Sequence, residues 1–431
     1  MTAKTLVERC PELVEGWPAF LAGLIETRFG RVLFINQPLV YLFASSLIVL
    51  FVGMGLFPLL PLYAAEFGAS KTLVGVYFAA MYVSNAAGSM FPAWFAGRLG
   101  RKSLFLAGSG LGIPALLLLS RATAFWQVVV LTSILWFSGG LILALVGVFT
   151  GLYAEGKSRG KSFSLMSLPM PLGALIGGAV IGKLVIWQGY AFMFAVLGVI
   201  WSALPLIGLL VLQDRPAKAV ELASVSDGKA RPQFGSTFYL LLGLTLLSTV
   251  AISAGRLGTS LSMQSLSFSA SAIASTGMVS GLFTMPLTFL IGALSDRLGR
   301  ERFLTTSYLL AAMGGLILVL ATQLWQFWLA ATLLLVALTT SGAMASALIT
   351  DVSRPEALTR GLSWLKGMTS MAGIISFAST GFLLDNYGPI TLYLIATTLP
   401  LISAAVLEVV GCKPKRILPL PARFRTQFFC M

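Results

Sequence analysis

The segment Leu294-Ser-Asp-Arg-Leu-Gly-Arg-Glu301 joins two long apolar runs, and a similar segment, Phe95-Ala-Gly-Arg-Leu-Gly-Arg-Lys102, occurs about 200 residues earlier. A second pair of segments, Glu155-Gly-Lys-Ser-Arg-Gly160 and Glu356-Ala-Leu-Thr-Arg-Gly361, keeps almost the same offset. Self-similarity at a fixed offset is the sequence signature of a repeated structural unit. Two matched pairs at one offset therefore predict a chain built from two related halves.

The composition places most of this chain in a lipid bilayer. Of its 431 residues, 57% are hydrophobic and 10% are charged, and the mean hydropathy is +0.91. Soluble domains carry about a quarter charged residues, so a soluble enzyme is excluded. Apolar runs of about 20 residues can cross the hydrocarbon core, and they predict twelve transmembrane helices. The expected bounds are 38–64, 72–96, 103–120, 125–151, 161–186, 190–212, 236–262, 271–294, 303–321, 325–349, 361–384 and 389–410.

The net charge of +14 would suggest nucleic-acid binding in a soluble protein, but here the basic residues sort by membrane side. An even number of helices puts both termini on one side. The connections on that side contain Arg98, Arg101, Lys102, Lys157, Arg159, Lys161, Arg215, Lys218, Lys229, Arg231, Arg297, Arg300, Arg302, Arg354 and Arg360, against Lys71, Arg121 and Lys183 on the other. By the positive-inside bias, we expect a multi-pass protein of the cell's inner (plasma) membrane with both termini in the cytoplasm, and no nucleic-acid partner.

A polar stretch near the middle of the chain separates the two sets of helices. It is rich in charged residues and in the residues that favour loops, so it is interpreted as a flexible cytoplasmic linker. The expected division is a cytoplasmic N-terminal segment at 1–37, a six-helix bundle at 38–212, the linker at 213–235, a second six-helix bundle at 236–410 and a cytoplasmic tail at 411–431.

Neither a metal site nor a cofactor is indicated. The chain has no histidine, so it has no histidine ligand or acid-base group. Its cysteines, Cys10, Cys412 and Cys430, lie in the terminal segments and are interpreted as incidental free thiols. No nucleophile, base and acid share one depth in the membrane, so an enzyme is not expected.

The sequence resembles the major facilitator superfamily. The loop signature of that family, Gly-x-x-x-Asp-Arg-x-Gly-Arg followed by a basic residue, is met from Gly292 to Arg300, with Glu301 in the last place. The copy in the first half has Ala93 and Gly97 where the glycine and aspartate belong. Over residues 38–410, the resemblance implies an all-α membrane protein of two pseudo-symmetric six-helix bundles, which works as a secondary transporter by alternating access.

The resemblance also implies a latch between the halves at the cytoplasmic side. Asp296 is expected to face the start of the fifth helix near Arg159, Arg300 to pair with Asp351, and Arg101 with Glu155. Because Gly97 cannot supply a charge near Arg360, the latch is expected to be lopsided. The alternative is that these charges are solvated loop ends. The implied latch residues are Gly292, Asp296, Arg297, Gly299, Arg300, Asp351, Arg98, Gly100, Arg101, Glu155, Arg159 and Arg360.

Charged side chains at membrane depth are functional candidates because they are costly there. Arg256 lies in the seventh helix on a polar face with Thr249, Ser253 and Ser260, and it either faces a cavity or extends to the outer headgroups. In the eleventh helix, Lys366 either shares a cavity-facing side with Ser370 or extends to the cytoplasmic surface. The other candidates are Tyr41 and Asn85, and Asn85 could equally join two helices.

An organic anion is the favoured substrate, because the candidate interior charges are basic. The first alternative is multidrug efflux of amphipathic compounds, which the tyrosines, tryptophans and methionines would suit. Another alternative is a transporter-like scaffold or lipid-handling protein without a soluble substrate. The acids Glu66, Asp385 and Glu408 all lie near helix ends, so the sequence does not choose a coupling ion, proton or other. The expected state is a monomer in the lipid bilayer.

Overall fold

A computed structural model describes residues 37–153, 165–211, 234–352 and 358–410, and these ranges are helical, with no strand among them. We number the helices α1 to α12 in chain order. They are α1 (Gln37–Leu56 and Leu60–Glu66), α2 (Lys71–Leu99), α3 (Arg101–Leu119), α4 (Phe125–Tyr153), α5 and α6 (Pro169–Trp201, then Ala203–Val211), α7 (Ser236–Ser265), α8 (Ala270–Leu298), α9 (Arg300–Val319), α10 (Leu324–Val352), α11 (Leu358–Asn386) and α12 (Gly388–Val410).

Within the described ranges, eleven helical stretches are long and apolar enough to cross a membrane, and one of them accounts for two crossings. The stretch Pro169–Leu210 has 42 residues. A straight helix of that length would span roughly 60 Å, twice the hydrocarbon thickness. Non-helical backbone at Gln188 and Gly189 folds the stretch back, and so separates α5 from α6. The twelve-helix membrane fold predicted from the sequence is confirmed.

The first helix differs from its prediction as one continuous run over 38–64. It is broken between Leu56 and Leu60, where Pro58 and Pro61 follow one another closely. Proline has no backbone N–H to donate, and its ring clashes with the preceding turn, so the helix cannot pass through unchanged. Phe57 lies in this break, and its ring is buried. Several other helix ends differ from their predicted bounds by a few residues.

The two halves repeat the same backbone details. Gly100 and Gly299 end α2 and α8 with φ values of 79° and 101°. Because only glycine adopts this region without strain, the geometry explains the glycine in the loop signature. All three pairs of residues with positive φ are 199 residues apart in the described chain, namely Gly68 and Ser267, Gly100 and Gly299, and Gly189 and Gly388.

The halves contact each other mainly through two pairs of helices, α2 with α11 and α5 with α8. We call the end of the bundle with Gly100 and Gly299 the signature end, and the end with Gly68, Gly189 and Gly388 the far end. A Cβ atom on Gly178 in α5 would meet the α8 backbone at Ala274 and Met278. The same holds between α2 and α11, where a Cβ on Gly381 would meet the Lys71 backbone. These contacts lie between the far end and the middle of the helices, and they close the far end.

Candidate functional site

Arg256 lies where the two halves meet. Its guanidinium carbon is 4.4 Å from the ring centroid of Phe57, and Nη2 is 3.7 Å from the sulfur of Met54. The Tyr82 hydroxyl also lies near this group. A residue of α7 therefore contacts α1 and α2 of the other half. Of the two positions expected from the sequence, the structure places Arg256 inside the bundle and away from the outer headgroups.

Aromatic rings fill the space between the halves at the depth of Arg256. Phe57 packs edge-on against Phe78 at 5.2 Å and contacts Phe377 at 5.9 Å. Tyr82 contacts Phe377 at 4.6 Å. The rings come from α1, α2 and α11, and those of Phe57, Phe78 and Phe377 are buried. This cluster, which we call the aromatic plug, fills the space beside Arg256 along the contact of α2 and α11.

A cavity lies beside Arg256, on the side of α5 and α8, and its empty space is about 480 Å³ when the part open to solvent is included. Its walls combine apolar side chains with hydroxyl groups. Three hydroxyls donate to carbonyls of their own helix: Thr259 to Gly255, Thr276 to Ile273 and Ser280 to Gly277. These groups therefore offer lone pairs to the cavity. The lining residues are Met54, Phe57, Pro58, Ala174, Arg256, Thr259, Ser260, Thr276, Gly277, Ser280, Ala331 and Leu335.

Arg256 is the charged residue of this lining. No carboxylate in the described ranges forms a salt bridge with it. The carboxylates whose side chains the structure describes lie at helix ends, at Glu66, Glu301, Asp351, Asp385 and Glu408. A buried cation without a counter-ion is costly, although aromatic and sulfur contacts offset part of that cost. The arrangement favours a negatively charged group in the cavity.

Of the other predicted residues of α7 and α11, one lines the cavity and four do not. Ser260 lines the cavity with Arg256, whereas Thr249 and Ser253 are buried on the same face of α7 outside the lining. Lys366 is exposed, and Ser370 is partly buried on the same side of α11. That side continues to Gly373, where a Cβ atom would meet the Tyr82 ring. Lys366 and Ser370 thus face the first half without reaching Arg256.

Two predicted cavity residues lie elsewhere. The side-chain amide of Asn85 donates to the Trp136 carbonyl at 3.2 Å, and Gly140 packs against Asn85, so this residue joins α2 to α4. Tyr41 is 40% exposed and precedes Met54 by about 20 Å along α1. Neither residue lines the cavity. The sequence could not show this, because a polar residue in a membrane helix gives the same signal whether it faces a neighbouring helix, lipid or a cavity.

Sequence reasoning expected α2 to contribute through Asn85, and it missed Tyr82 of α2 and the contribution of α8. Tyr82 contacts Arg256, and Thr276 and Ser280 line the cavity. A signal for the α8 residues was present, since Thr276, Ser280, Thr284 and Thr288 follow at four-residue steps and share one helix face. No comparable row of hydroxyls marks Tyr82.

The latch residues are only partly described. Nη1 of Arg300 donates to both carboxylate oxygens of Asp351 at 2.8 and 2.9 Å, so the predicted salt bridge is present. It joins α9 to α10 within the second half, and its latch role stays a prediction. Around Gly97 there is open space, and Arg98 and Arg360 are exposed. Glu155 and Arg159 lie outside the described residues, as do the side chains of Asp296 and Arg297 and the surroundings of Gly292.

Comparison with known proteins agrees with this architecture. The Major Facilitator Superfamily model matches residues 42–252 and 234–421. Multidrug resistance protein MdtG of Citrobacter koseri is 26% identical over 276 residues, which cover 59% of this chain and 66% of MdtG. The corresponding protein of Serratia proteamaculans is 26% identical over 289 residues, which cover 62% and 68%. The chain spans just under two thirds of the length of the Citrobacter relative.

Solved structures share the fold at low sequence identity. The nucleoside transporter NupG superposes with a TM-score of 0.72 and 12% identity over 87% of this chain and 100% of NupG. A peptide transporter POT in complex with sulfate has a TM-score of 0.69 and 13% identity over 87% and 95%. At such identities the likeness concerns the fold alone. The twelve helices, the repeated halves and the family match together show that this chain belongs to the Major Facilitator Superfamily.

Proposed function

We propose that this protein is a secondary transporter that moves amphipathic organic anions across the membrane by alternating access. The observation that carries the proposal is the cation of Arg256 in a cavity lined by apolar side chains and hydroxyl groups, without a carboxylate partner among the described residues. A charged hydrogen bond contributes about 1.5–3 kcal/mol, which corresponds to roughly 10- to 100-fold in affinity. Met54, Phe57 and Leu335 offer an apolar surface for the rest of the solute.

The contacts between the halves support alternating access. They lie between the far end and the middle of the helices, so the halves can part at one end while they stay in contact at the other. We propose that the signature end faces the cytoplasm of the inner membrane, because the basic connections belong to that end. Both termini and the 213–235 linker would then be cytoplasmic, and the described conformation would be inward-facing. A monomer provides all of these elements.

A second candidate function is export of structurally varied amphipathic compounds. The methionine and aromatic lining favours it, because such side chains adapt to different shapes. The relatives are named multidrug resistance proteins, which is consistent with it. In this case Arg256 would serve to hold the halves together through Phe57 and Tyr82, and the charge of the solute would matter little.

A series of ligands that share one ring system separates the two candidates. We suggest thermal unfolding of the purified protein with naphthalene-1-sulfonate, 1-naphthoate, 1-naphthalenemethanol and 1-naphthylmethylammonium. The anions should stabilise the wild-type protein and the Arg256→Lys variant, but not Arg256→Met. If all four compounds stabilise the protein and Arg256→Met changes nothing, the anion proposal fails and the second candidate stands. Uptake of the stabilising compound into proteoliposomes then tests transport.

A further inference from the structure

Lys366 lies on the side of α11 that faces the first half. Steps of three and four residues place Lys366, Ser370, Gly373 and Phe377 in one row along the helix. Two members of the row contact Tyr82 of α2, since a Cβ on Gly373 would meet its ring and Phe377 packs against it at 4.6 Å. The row is therefore directed at α2.

The exposed side chain of Lys366 faces the space between the halves. Lys366 is about 10 Å from Gly373 along α11, toward the signature end. The lipid-facing side of this helix is a different one, which carries the exposed residues Met371, Ile375 and Phe382. Across the gap, the row of α2 that continues from Tyr82 holds Ala86, Ser89 and Ala93. This wall of small residues carries no charge.

Closing the signature end would bring these two rows together. The ammonium group of Lys366 would then be buried against alanine and serine side chains, and no carboxylate in the described ranges pairs with it. Burying an unpaired charge is costly, whereas a paired and hydrogen-bonded charge is tolerated. An anion at Lys366 would remove that cost, and the small residues opposite leave room for one.

We propose that Lys366 is a second anion-binding residue on the transport path, and that the signature end closes only while an anion is bound to Lys366. This rests on the proposed transport of organic anions. The anionic group first meets Lys366 near the opening and then Arg256 at the centre of the bundle. A carrier that cannot close while empty exchanges one anion for another, so the proposal predicts exchange rather than net flow.

Cysteine reactivity on both sides of the aromatic plug tests this proposal. In proteins whose Cys10, Cys412 and Cys430 are changed to serine, Ser89→Cys reports access from the signature end and Gln264→Cys reports access from the far end. N-ethylmaleimide is uncharged, so attraction or repulsion by the Lys366 charge does not alter its reaction rate. Without an anion, Lys366→Met should slow alkylation at position 89 at least threefold and accelerate it at position 264. The alkylation rates of Lys366→Arg and of the exposed-lysine control Lys183→Met should equal those of the protein with native Lys366.

The opposite direction of the two effects separates closure from misfolding, which would raise both rates. Equal rates in Lys366→Met and the parent overturn the proposal. Naphthalene-1-sulfonate should slow alkylation at position 89 when Lys366 is present and have no further effect in Lys366→Met. Equal effects in the two proteins also overturn the proposal. If this probe neither stabilises the wild-type protein nor alters any rate, anion transport as the proposed function fails, and the rates without anion still decide the role of Lys366.

Discussion

Arg256 and Phe57 occupy equivalent positions in the two halves, 199 residues apart, and they contact each other with 4.4 Å between the guanidinium carbon and the ring centroid. The same offset relates both ends of α1 to both ends of α7. The contact therefore lies at the pseudo-symmetry axis of the molecule. One half supplies a cation there and the other supplies the aromatic face that stabilises it, so the centre of the bundle is chemically unequal although its backbone repeats.

This contact predicts an energetic coupling between the two residues. A cation over an aromatic ring contributes about 0.5–2 kcal/mol. A double-mutant cycle with Arg256→Met and Phe57→Leu, measured as the free energy of unfolding in detergent, should give a coupling energy of about 1 kcal/mol. Phe149, a buried ring of α4, serves as the control, and Phe149→Leu should be additive with Arg256→Met. Additivity of both pairs would contradict the assigned contact.

Asp385 should control opening of the far end. One of its oxygens accepts from the Thr72 backbone N–H at 2.7 Å and from the Thr72 hydroxyl at 2.6 Å, so the end of α11 caps the start of α2. Because the pair is exposed, its contribution is about 1 kcal/mol, or roughly fivefold in the population of the open state. Asp385→Ala should therefore accelerate alkylation of Gln264→Cys by about that factor.

The neighbouring residue provides a matched control for Asp385. The Asn386 amide donates to the Phe382 carbonyl within α11, so Asn386→Ala removes a polar group from the same helix end without touching α2. Its alkylation rate at position 264 should equal that of the parent. Equal rates in Asp385→Ala and Asn386→Ala would show that the cap does not hold the far end closed.

Much of the fold could be predicted from the sequence because it depends on local patterns. Apolar run length gave the helices, and the loop signature gave the repeat. The position of Arg256 could not be decided, since a boundary error of a few residues moves it between the cavity and the headgroups. Its partners were hidden as well, because Met54 and Tyr82 belong to the other half and no local pattern links them to α7.

The unequal packing of the two contacts between the halves also required the structure. Phe78, Tyr82 and Phe377 fill the contact of α2 and α11, whereas the equivalent positions 199 residues away are Gly277, Gly281 and Gly178. Glycine lets the α5 and α8 backbones touch at this depth, whereas aromatic rings fill the equivalent space between α2 and α11, whose backbones touch nearer the far end at Gly75 and Gly381. The cavity beside Arg256 lies on the glycine side. Aligning the two halves shows which residues differ at these positions, but it does not show how much of the space between the helices the rings fill.

Gly178 is expected to tolerate no side chain in the described conformation. A Cβ there would meet the α8 backbone at Met278 and Ala274, and a backbone cannot move aside as a side chain can. Gly178→Ala should force the halves apart at the far end, which lowers the thermal stability and raises reactivity at Gln264→Cys. Gly147→Ala is the control, because Gly147 lies inside α4 with no atom within 4 Å of its added Cβ. If the two variants behave alike, α5 and α8 do not contact each other as described.

Asn85 should contribute to stability and not to binding. Its bond to the Trp136 carbonyl joins α2 to α4 within the first half. Asn85→Ala should lower the free energy of unfolding by about 1 kcal/mol, the typical contribution of one hydrogen bond. The shift in melting temperature caused by naphthalene-1-sulfonate should equal that of the wild-type protein. A loss of this shift without a loss of stability would instead make Asn85 a substrate contact.

Gly97 offers a direct test of the lopsided latch. It lies in the last turn of α2 with open space around it, at the position where the second half carries Asp296. A carboxylate at the C-terminal end of a helix is unfavourable by about 0.3–1 kcal/mol, and the free amides at the start of another helix reverse that effect. Gly97→Asp should therefore destabilise the conformation that is open at the signature end, and favour the closed one if the start of α11 meets it.

Alkylation of Ser89→Cys measures this change. Gly97→Asp should slow the reaction by roughly two- to fivefold, the factor expected for a shift of 0.5–1 kcal/mol. Gly97→Asn has nearly the same shape without the charge, and should leave the rate close to that of the parent. Asp296→Asn should have the opposite effect and accelerate the reaction, because it removes the intact half of the latch. Equal rates in the Asp and Asn variants at position 97 would mean that these acids are solvated loop ends and hold no latch.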